Sequence, residues 1–374
     1  MTAVTERSAA TWSIRPADDR DNAALCALAR ACPMVGEVTV CVHREPRFLA
    51  LDALLGNPWQ VLIAEADGLP VGTVAWAVRD AFVNGHRRPT GYVGDLKVHP
   101  AVRRSGVGAA LALAVRDELR RIDPDLPVLL TALRGNVPVS RLAHVGGRGR
   151  LAVPYAAVRV HAIPLLARRQ VPSVPGFAVL EAGPSDIDGL VDFWASIGPD
   201  RQFRACQDPE GLAAAPDGAP GLDRSSYLVA RGADGRIVAC AAIWDQHRLK
   251  TTRILRYGGA LRWLRSGFNL VAPMLGAPRL PGPGGALRVL QAFNVGATSA
   301  AALRAVVVEA LHRYAGRGYA LLMMGLDRTD PLTAALAGLW AQPTEVDAFV
   351  AVPGRLGGCR SLDGRPLHYE TALV

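Results

Sequence analysis

Lysine is nearly absent from this 374-residue chain: of its 42 Lys and Arg residues, only Lys97 and Lys250 are lysine. The net charge of +9 and the isoelectric point near 9.7 therefore come from arginine, and the heavy use of Arg, Ala and Gly fits GC-rich codons. A disulfide or zinc framework is missing too. Cys26, Cys32, Cys41, Cys206, Cys240 and Cys359 form no C-x-x-C pair and have no His at finger spacing. That pattern favours free thiols in a reducing compartment and no metal. No apolar run approaches the ~20 residues of a membrane span, because Arg, Gly and Pro interrupt every one. The opening MTAVTERSAATW has no basic start followed by an apolar stretch, so no export signal is read. The expectation is a cytoplasmic protein with no membrane partner.

Acidic residues are missing from two long blocks. Between Leu126 and Leu180 there is no Asp or Glu but seven Arg. Between Gln246 and Val308 there is again none, against Arg248, Lys250, Arg253, Arg256, Arg262, Arg265, Arg279, Arg288 and Arg304. Such blocks create a positive field that gathers anions. Within the second, WDQHRLKTTRILRYGGALRWLR interleaves cations with Trp244, Tyr257 and Trp263. This is a pattern that stacks on unpaired bases, or a solvated basic face with aromatics in the core.

What is present is a two-part plan. The length suits two domains, and half the residues are apolar, enough for a sizeable core. IRPADDRDNAALCALARAC reads as an extended piece, an acidic helix start and a helix. VLIAEADGLPVGTVAWAV reads as a hairpin around Asp67-Gly68. VLEAGPSDIDGLVDFWA and YLVARGADGRIVACAAIW repeat that order. Asp19 to Asp186 and Asp67 to Asp234 are both 167 positions apart, which argues for a duplication. ARRQVPSVPGF, residues 167–177, reads as the linker. The preceding LAVPYAAVRVHAIPLL reads as the strand that closes the first sheet.

The most informative stretch is GYVGDLKVHPAVRRSGVGAALALAVRDELRRID, residues 91–123. It is a strand ending at Pro100, then Arg103, Arg104, Ser105, Gly106, Val107, Gly108 and Ala109, then a helix stopping before Pro124. Glycines at a helix start expose backbone N–H groups to an anion, and the dipole and flanking arginines add to the attraction. No Gly-Lys-Ser/Thr follows, so it is not a Walker loop. With only two glycines and a hairpin before it, it is not a dinucleotide-binding fingerprint either.

The stretch resembles motif A of the GCN5-related N-acetyltransferases (GNAT), whose cradle reads Arg/Gln-x-x-Gly-x-Gly/Ala. The later PVLLTALRGNVPVSRLAHVGG, with Asn136 and Gly147 eleven residues apart, is similar to that family's next strand and short helix. The resemblance covers about residues 12–165, and residues 177–352 only as architecture. It implies an α/β fold of two tandem GNAT-like domains, residues 1–168 and 169–374, each a mixed central sheet flanked by helices. The second lacks the cradle.

By the same resemblance, the backbone of Leu96, Lys97 and Val98 would hold the pantetheine arm and acyl carbonyl of acetyl-CoA or another acyl-CoA. Residues 103–109 would hold the pyrophosphate, with Asn136 close by. The family's Tyr acid is replaced by Ala143, with His144 beside it. Asp95 is the carboxylate on the strand and the candidate base; an ordinary surface pair with Lys97 accounts for it equally. Tyr92, expected on the opposite face, could orient an amine. Glu37 and Glu45 fall where the family shapes its acceptor pocket. The implied activity is acyl transfer to a small-molecule amine. An aminoacyl-tRNA-dependent transferase using blocks 126–180 and 246–308 is an alternative, a non-catalytic ligand-binding protein another, and a homodimer is compatible with all.

Overall fold

A computed structural model describes residues 12–137, 139, 151–166, 171–212, 219–355 and 362–374. The first half contains β1 (Ser13–Pro16), α1 (Asn22–Ala31), β2 (Val38–His43), β3 (Trp59–Ala66), β4 (Leu69–Val83), β5 (His86–Val98), α2 (Val107–Ile122), β6 (Val128–Leu133) and β7 (Ala152–Pro164). The second contains β8 (Ala178–Glu181), α3 (Ile187–Ile197), β9 (Arg204–Ala205), β10 (Tyr227–Arg231), β11 (Ile237–Trp244), β12 (Thr251–Tyr257), α4 (Leu261–Val271), β13 (Ala286–Leu287), β14 (Val289–Ala297), α5 (Ala300–Tyr314), β15 (Leu321–Asp327) and β16 (Gln342–Ala351).

Twelve strands form one continuous path, β1-β3-β4-β5-β6-β16-β7-β15-β14-β11-β10-β8, with β9 hung on β4. Read from either end, the order is the same in kind. Each half places its parallel pair, β5·β6 or β14·β15, third from the centre. The two central strands have changed sides. β7 does not close the first sheet: it lies between β16 and β15, and β16 lies against β6. The local sequence could not show this, because both strands have the same alternation and either would satisfy either edge. A small second sheet, β13-β12-β2, also joins the halves, with β2 along β12.

Local chemistry explains the individual elements. Asp67 and Gly68 take φ of 51° and 76°, the left-handed pair that a two-residue hairpin turn requires. In the second half Gly235 at φ 77° turns a longer loop. Helix starts are boxed alike: the Asp18 N–H donates to Asp21, and the Gly183 N–H to Asp186. The equivalent acids are thus Asp21 and Asp186, so the offset of 167 holds at the hairpins but slips at the helices. On α2, Val107, Leu111, Val115 and Leu119 recur every fourth residue and are buried against Val74, Trp76 and Val78 of β4. Burying each stabilises the layer by about 2 kcal/mol.

Both parallel pairs part company. β5 and β6 are in register only from Gly91/Val128 to Val93/Leu130, and β14 and β15 only from Val289/Leu321 to Gln291/Met323. In the second half the gap is filled by the chain's own segment 367–373. The Leu367 N–H donates to Asp327 (2.8 Å), and the Asn294 N–H donates to Glu370 (3.0 Å). Tyr369 and Thr371 lie on Gly325, where an added Cβ would meet Thr371 Oγ1 at 2.5 Å and Tyr369 Cδ1 at 2.6 Å. Gly325→Val should therefore dislodge this plug. We expect faster amide exchange over 367–373 and a loss of about 1–3 kcal/mol in chemical denaturation; unchanged exchange there would contradict the packing.

Candidate active site

In the first half β5 and β6 also part after Val93/Leu130, and a β-bulge shapes the separation. Lys97 pairs with Thr73 and Gly94 with Ala75, so Asp95 and Leu96 together oppose the single residue Val74. Asp95 takes up the extra residue at φ 53°, in the left-handed region. Asn294, at φ 50°, forms the same bulge in β14. One extra residue exchanges the faces of everything after it. Val93, Leu96 and Val98 all pack on the α2 side, while Tyr92 joins the core on the other side. The register then puts Lys97 on the face of Tyr92 rather than opposite it, which corrects the expectation from simple alternation. Beyond Val93 the edge of β5 facing β6 makes no ladder.

At the end of β5 the expected cradle is present. Gly106, at φ 93°, is the N-cap of α2, with open space where its Cβ would point. Arg104, at φ 68°, is also left-handed. No side chain caps the helix and no acid sits in its first turn, so the N–H groups of its first turn are left to a ligand. Gly108 lies within that turn. Arg103 folds back, Nε donating to the Val98 carbonyl (3.3 Å), and Ser105 Oγ donates to the Val102 carbonyl (2.7 Å). An uncapped helix mouth, a glycine with room beside it and an unpaired strand edge fit a diphosphate and an amide-bearing arm.

Around the bulge lies a buried charge cluster. Arg44, 4 % exposed, donates to Asp52 (2.8 Å) and to Asp95 (3.3 Å). Lys97 Nζ contacts the other oxygen of Asp95. Lys250, from the second half, donates to the backbone oxygens of Ala372 (3.1 Å) and Val374 (2.8 Å). Burial, then Arg44, pushes Lys97 down to about 7. Burial, then Arg44 and Lys97, does the same to Lys250. Burial raises the Asp52 carboxyl against the pull of Arg44. The chain's two lysines thus share one charge field; burial and Arg44 lower both, in Lys97 against its contact with Asp95, which favours the charged amine. Tyr92, its phenol raised by burial, lies 3.4 Å from Thr131 Oγ1.

Other expected residues have different surroundings. Glu45 is engaged by Arg30 and by His43 (3.6 Å). Glu37 is exposed, and its carbonyl accepts from the Gly258 N–H (2.7 Å). The Asn136 side chain accepts from the Val139 N–H (3.4 Å), capping the turn it opens. His144, Ala143 and Gly147 lie outside the described residues, as do Cys359 and residues 167–170 of the linker. The other five cysteines are free thiols. Trp244 is fully buried, its Nε1 donating to the Pro220 carbonyl (3.0 Å), and Tyr257 donates to the Pro281 carbonyl (2.9 Å). Only Trp263 of that row is exposed, so no row of stacking aromatics exists. A cavity of about 510 Å³ lined by Arg79, Asp80, Arg87 and Cys206 lies at the far end of β4 and β5, away from the bulge.

Sequence reasoning missed Arg44, Asp52, Lys250 and the Lys97 side chain as site members. The usable signal was the near-absence of lysine: arginine stands almost everywhere a cation is needed, except at two positions.

A mixed sheet parted at a bulge, with an uncapped helix start beside it, is the geometry on which the comparisons with known proteins bear. Residues 24–139 match the sequence model of the acetyltransferase (GNAT) family. That segment, under a third of the chain, is what is similar to the family. No curated protein sequence matches it. Among solved structures it is similar in fold to a GCN5-related N-acetyltransferase from Sphaerobacter thermophilus. That match has 14% identity, covers 93% of this chain and 98% of that one, and has a TM-score of 0.56. It is also similar to Saccharomyces cerevisiae N-myristoyltransferase with bound myristoyl-CoA, at 11% identity, 94% and 84% coverage and a TM-score of 0.63.

The charge cluster has two measurable consequences. Arg44→Ala leaves Asp52 buried without its cation and should cost about 3–5 kcal/mol in urea unfolding, most of it recovered in Arg44→Met/Asp52→Leu. A lysine at about 7 when folded and about 10.4 when unfolded binds fewer protons in the folded state between those values, so its penalty is full below pH 7 and fades above. The stability of wild type relative to Lys97→Met should therefore rise between pH 7 and 10; a flat difference would contradict a neutral buried amine.

Proposed function

We propose that the chain transfers an acyl group, acetyl being the expected one, from acyl-CoA to the amine of a small acceptor by direct attack. The observation that carries this is the meeting, at one bulge, of an uncapped helix mouth, an open strand edge and Lys97. The S. thermophilus and yeast structures support an acyl-CoA donor by their fold and, in the yeast enzyme, by its bound ligand. When bound, the donor would supply an acyl carbonyl already activated as a thioester.

The chain's own groups divide the remaining work. The N–H groups of residues 106–109, with Arg103 and Arg104, would meet the pyrophosphate. The edge of Leu96–Val98, whose Val98 carbonyl now accepts from Arg103 and Cys32, would meet the arm once those contacts give way. Neutral Lys97 would take the proton that the attacking ammonium must lose. Asp95 holds the Lys97 amine in place and favours its charged form, while burial and Arg44 favour the neutral one. Arginine could not serve here, because its guanidinium does not release a proton in proteins. In this reading residues 1–168 bind the donor, and residues 169–374 contribute Lys250 and the plug that closes their own gap. The aminoacyl-tRNA alternative loses support with the burial of Trp244.

Calorimetric titration with CoA and acetyl-CoA should show binding to wild type that Gly106→Val weakens at least tenfold, since it forces a branched side chain to φ 93° at the cradle. No heat with wild type at near-millimolar ligand would reject the donor assignment. Over an amine panel, Lys97→Arg should lower kcat roughly a hundredfold without changing the KM for donor, and should remove a rising limb near pH 7. An unaltered profile would reject the base.

A further inference from the structure

α4 turns an apolar side outward. Two of its polar side chains face the protein: Arg265 Nε donates to the carbonyls of Leu280 (3.2 Å) and Pro281 (2.9 Å). Asn269 both donates to the Leu280 carbonyl (3.0 Å) and accepts from its N–H (2.7 Å). At 100° per residue, Leu270, Trp263, Gly267, Val271 and Leu264 form one unbroken arc of about 120°, and that arc points outward. Leu270 is 80% exposed, Trp263 70% and Leu264 64%, and Met274, just past the helix, is 66% exposed. No residue of the helix is buried. An amphipathic helix normally does the reverse. Two polar anchors hold this one to the body with its apolar side turned to solvent.

The surroundings select the occupant. Arg262 is exposed and lies over the Trp263 ring (5.1 Å), and Arg256 and Arg279, also exposed, flank the helix in the sequence, all within the stretch from Gln246 to Val308 that holds no acid. The loop before β2 reaches the root of the helix through Gly258 and adds Val35, 77% exposed, with Glu37 as the acid on that rim. A second copy of this face would bring arginines against arginines. An apolar arc carrying Trp and Leu, with Arg262 on its Trp263 and further exposed arginines in the flanking sequence, matches an anionic lipid surface: apolar side chains enter the acyl boundary and guanidinium groups meet phosphates.

We propose that α4 and residues 272–275 dock the protein on anionic membrane surfaces. Docking needs no spanning segment, and no helix among the described residues is long and apolar enough to cross a membrane. It revises the sequence expectation of no membrane partner and is independent of the acyl-transfer reading.

The test is co-sedimentation of the full chain with vesicles of phosphatidylcholine alone, or with about 30% phosphatidylglycerol, at low and high salt. Binding should appear with the anionic vesicles, weaken with salt and be far lower on phosphatidylcholine. Trp263→Ser/Leu264→Ser/Leu270→Ser, all exposed sites, should keep the thermal transition and lose binding at least tenfold. Arg256→Glu/Arg262→Glu keeps the arc and should lose binding likewise. Failure of the wild type to bind anionic vesicles overturns the proposal, as does equal binding by the triple variant. A wild-type dimer in sedimentation velocity that the triple variant splits would reassign the arc to self-association. Retention of total tRNA abolished by the triple variant would reassign it to nucleic acid.

Discussion

The hydrogen bonds that β5 withholds from β6 beyond Val93 organise this molecule. A strand edge inside a sheet cannot stay unpaired without cost, so something must meet those groups. The bulge at Asp95 creates the opening and also turns Lys97 to the face where Arg44 and Asp52 are buried. The same divergence recurs at Asn294, and there the chain supplies the missing partner itself: Glu370 takes the bulge N–H, and Tyr369 and Thr371 fill the space. One half is sealed from within, and in the other the β5 edge facing β6 makes no ladder beyond Val93.

The exchange of β7 and β16 makes the halves interdependent. Each strand finishes the other half's sheet, and β2 pairs with β12 in the smaller one. Lys250 reaches the cluster at the first-half bulge from the second half, and the plug whose carbonyls it holds comes from beyond β16. A site assembled this way has no complete set of charges in either half alone.

Much of the fold was legible where a local rule governs. Asp67-Gly68 demanded a hairpin, the four-residue spacing from Val107 to Leu119 demanded a helix with one buried face, and Gly106 marked its open mouth. The exchange was not legible, because strand alternation says which face is buried and not which neighbour is paired. Nor was the bulge: Asp95 is not a glycine, and one left-handed residue reversed the faces assigned to Tyr92 and Lys97. Arg44 and Asp52 are ordinary in HREPRF and LDAL, and acquire meaning only once buried together.

The confinement of lysine to two half-buried positions has a chemical corollary. Reagents that acylate or alkylate neutral primary amines find almost no side-chain targets on an arginine-covered surface. Burial and Arg44, however, lower both Lys97 and Lys250, which makes these two amines the ones most readily deprotonated and so the most nucleophilic. A small amine-directed electrophile able to enter the gap would tag this one cleft without any engineered handle, and occupancy of the cleft would be read as protection from that tag.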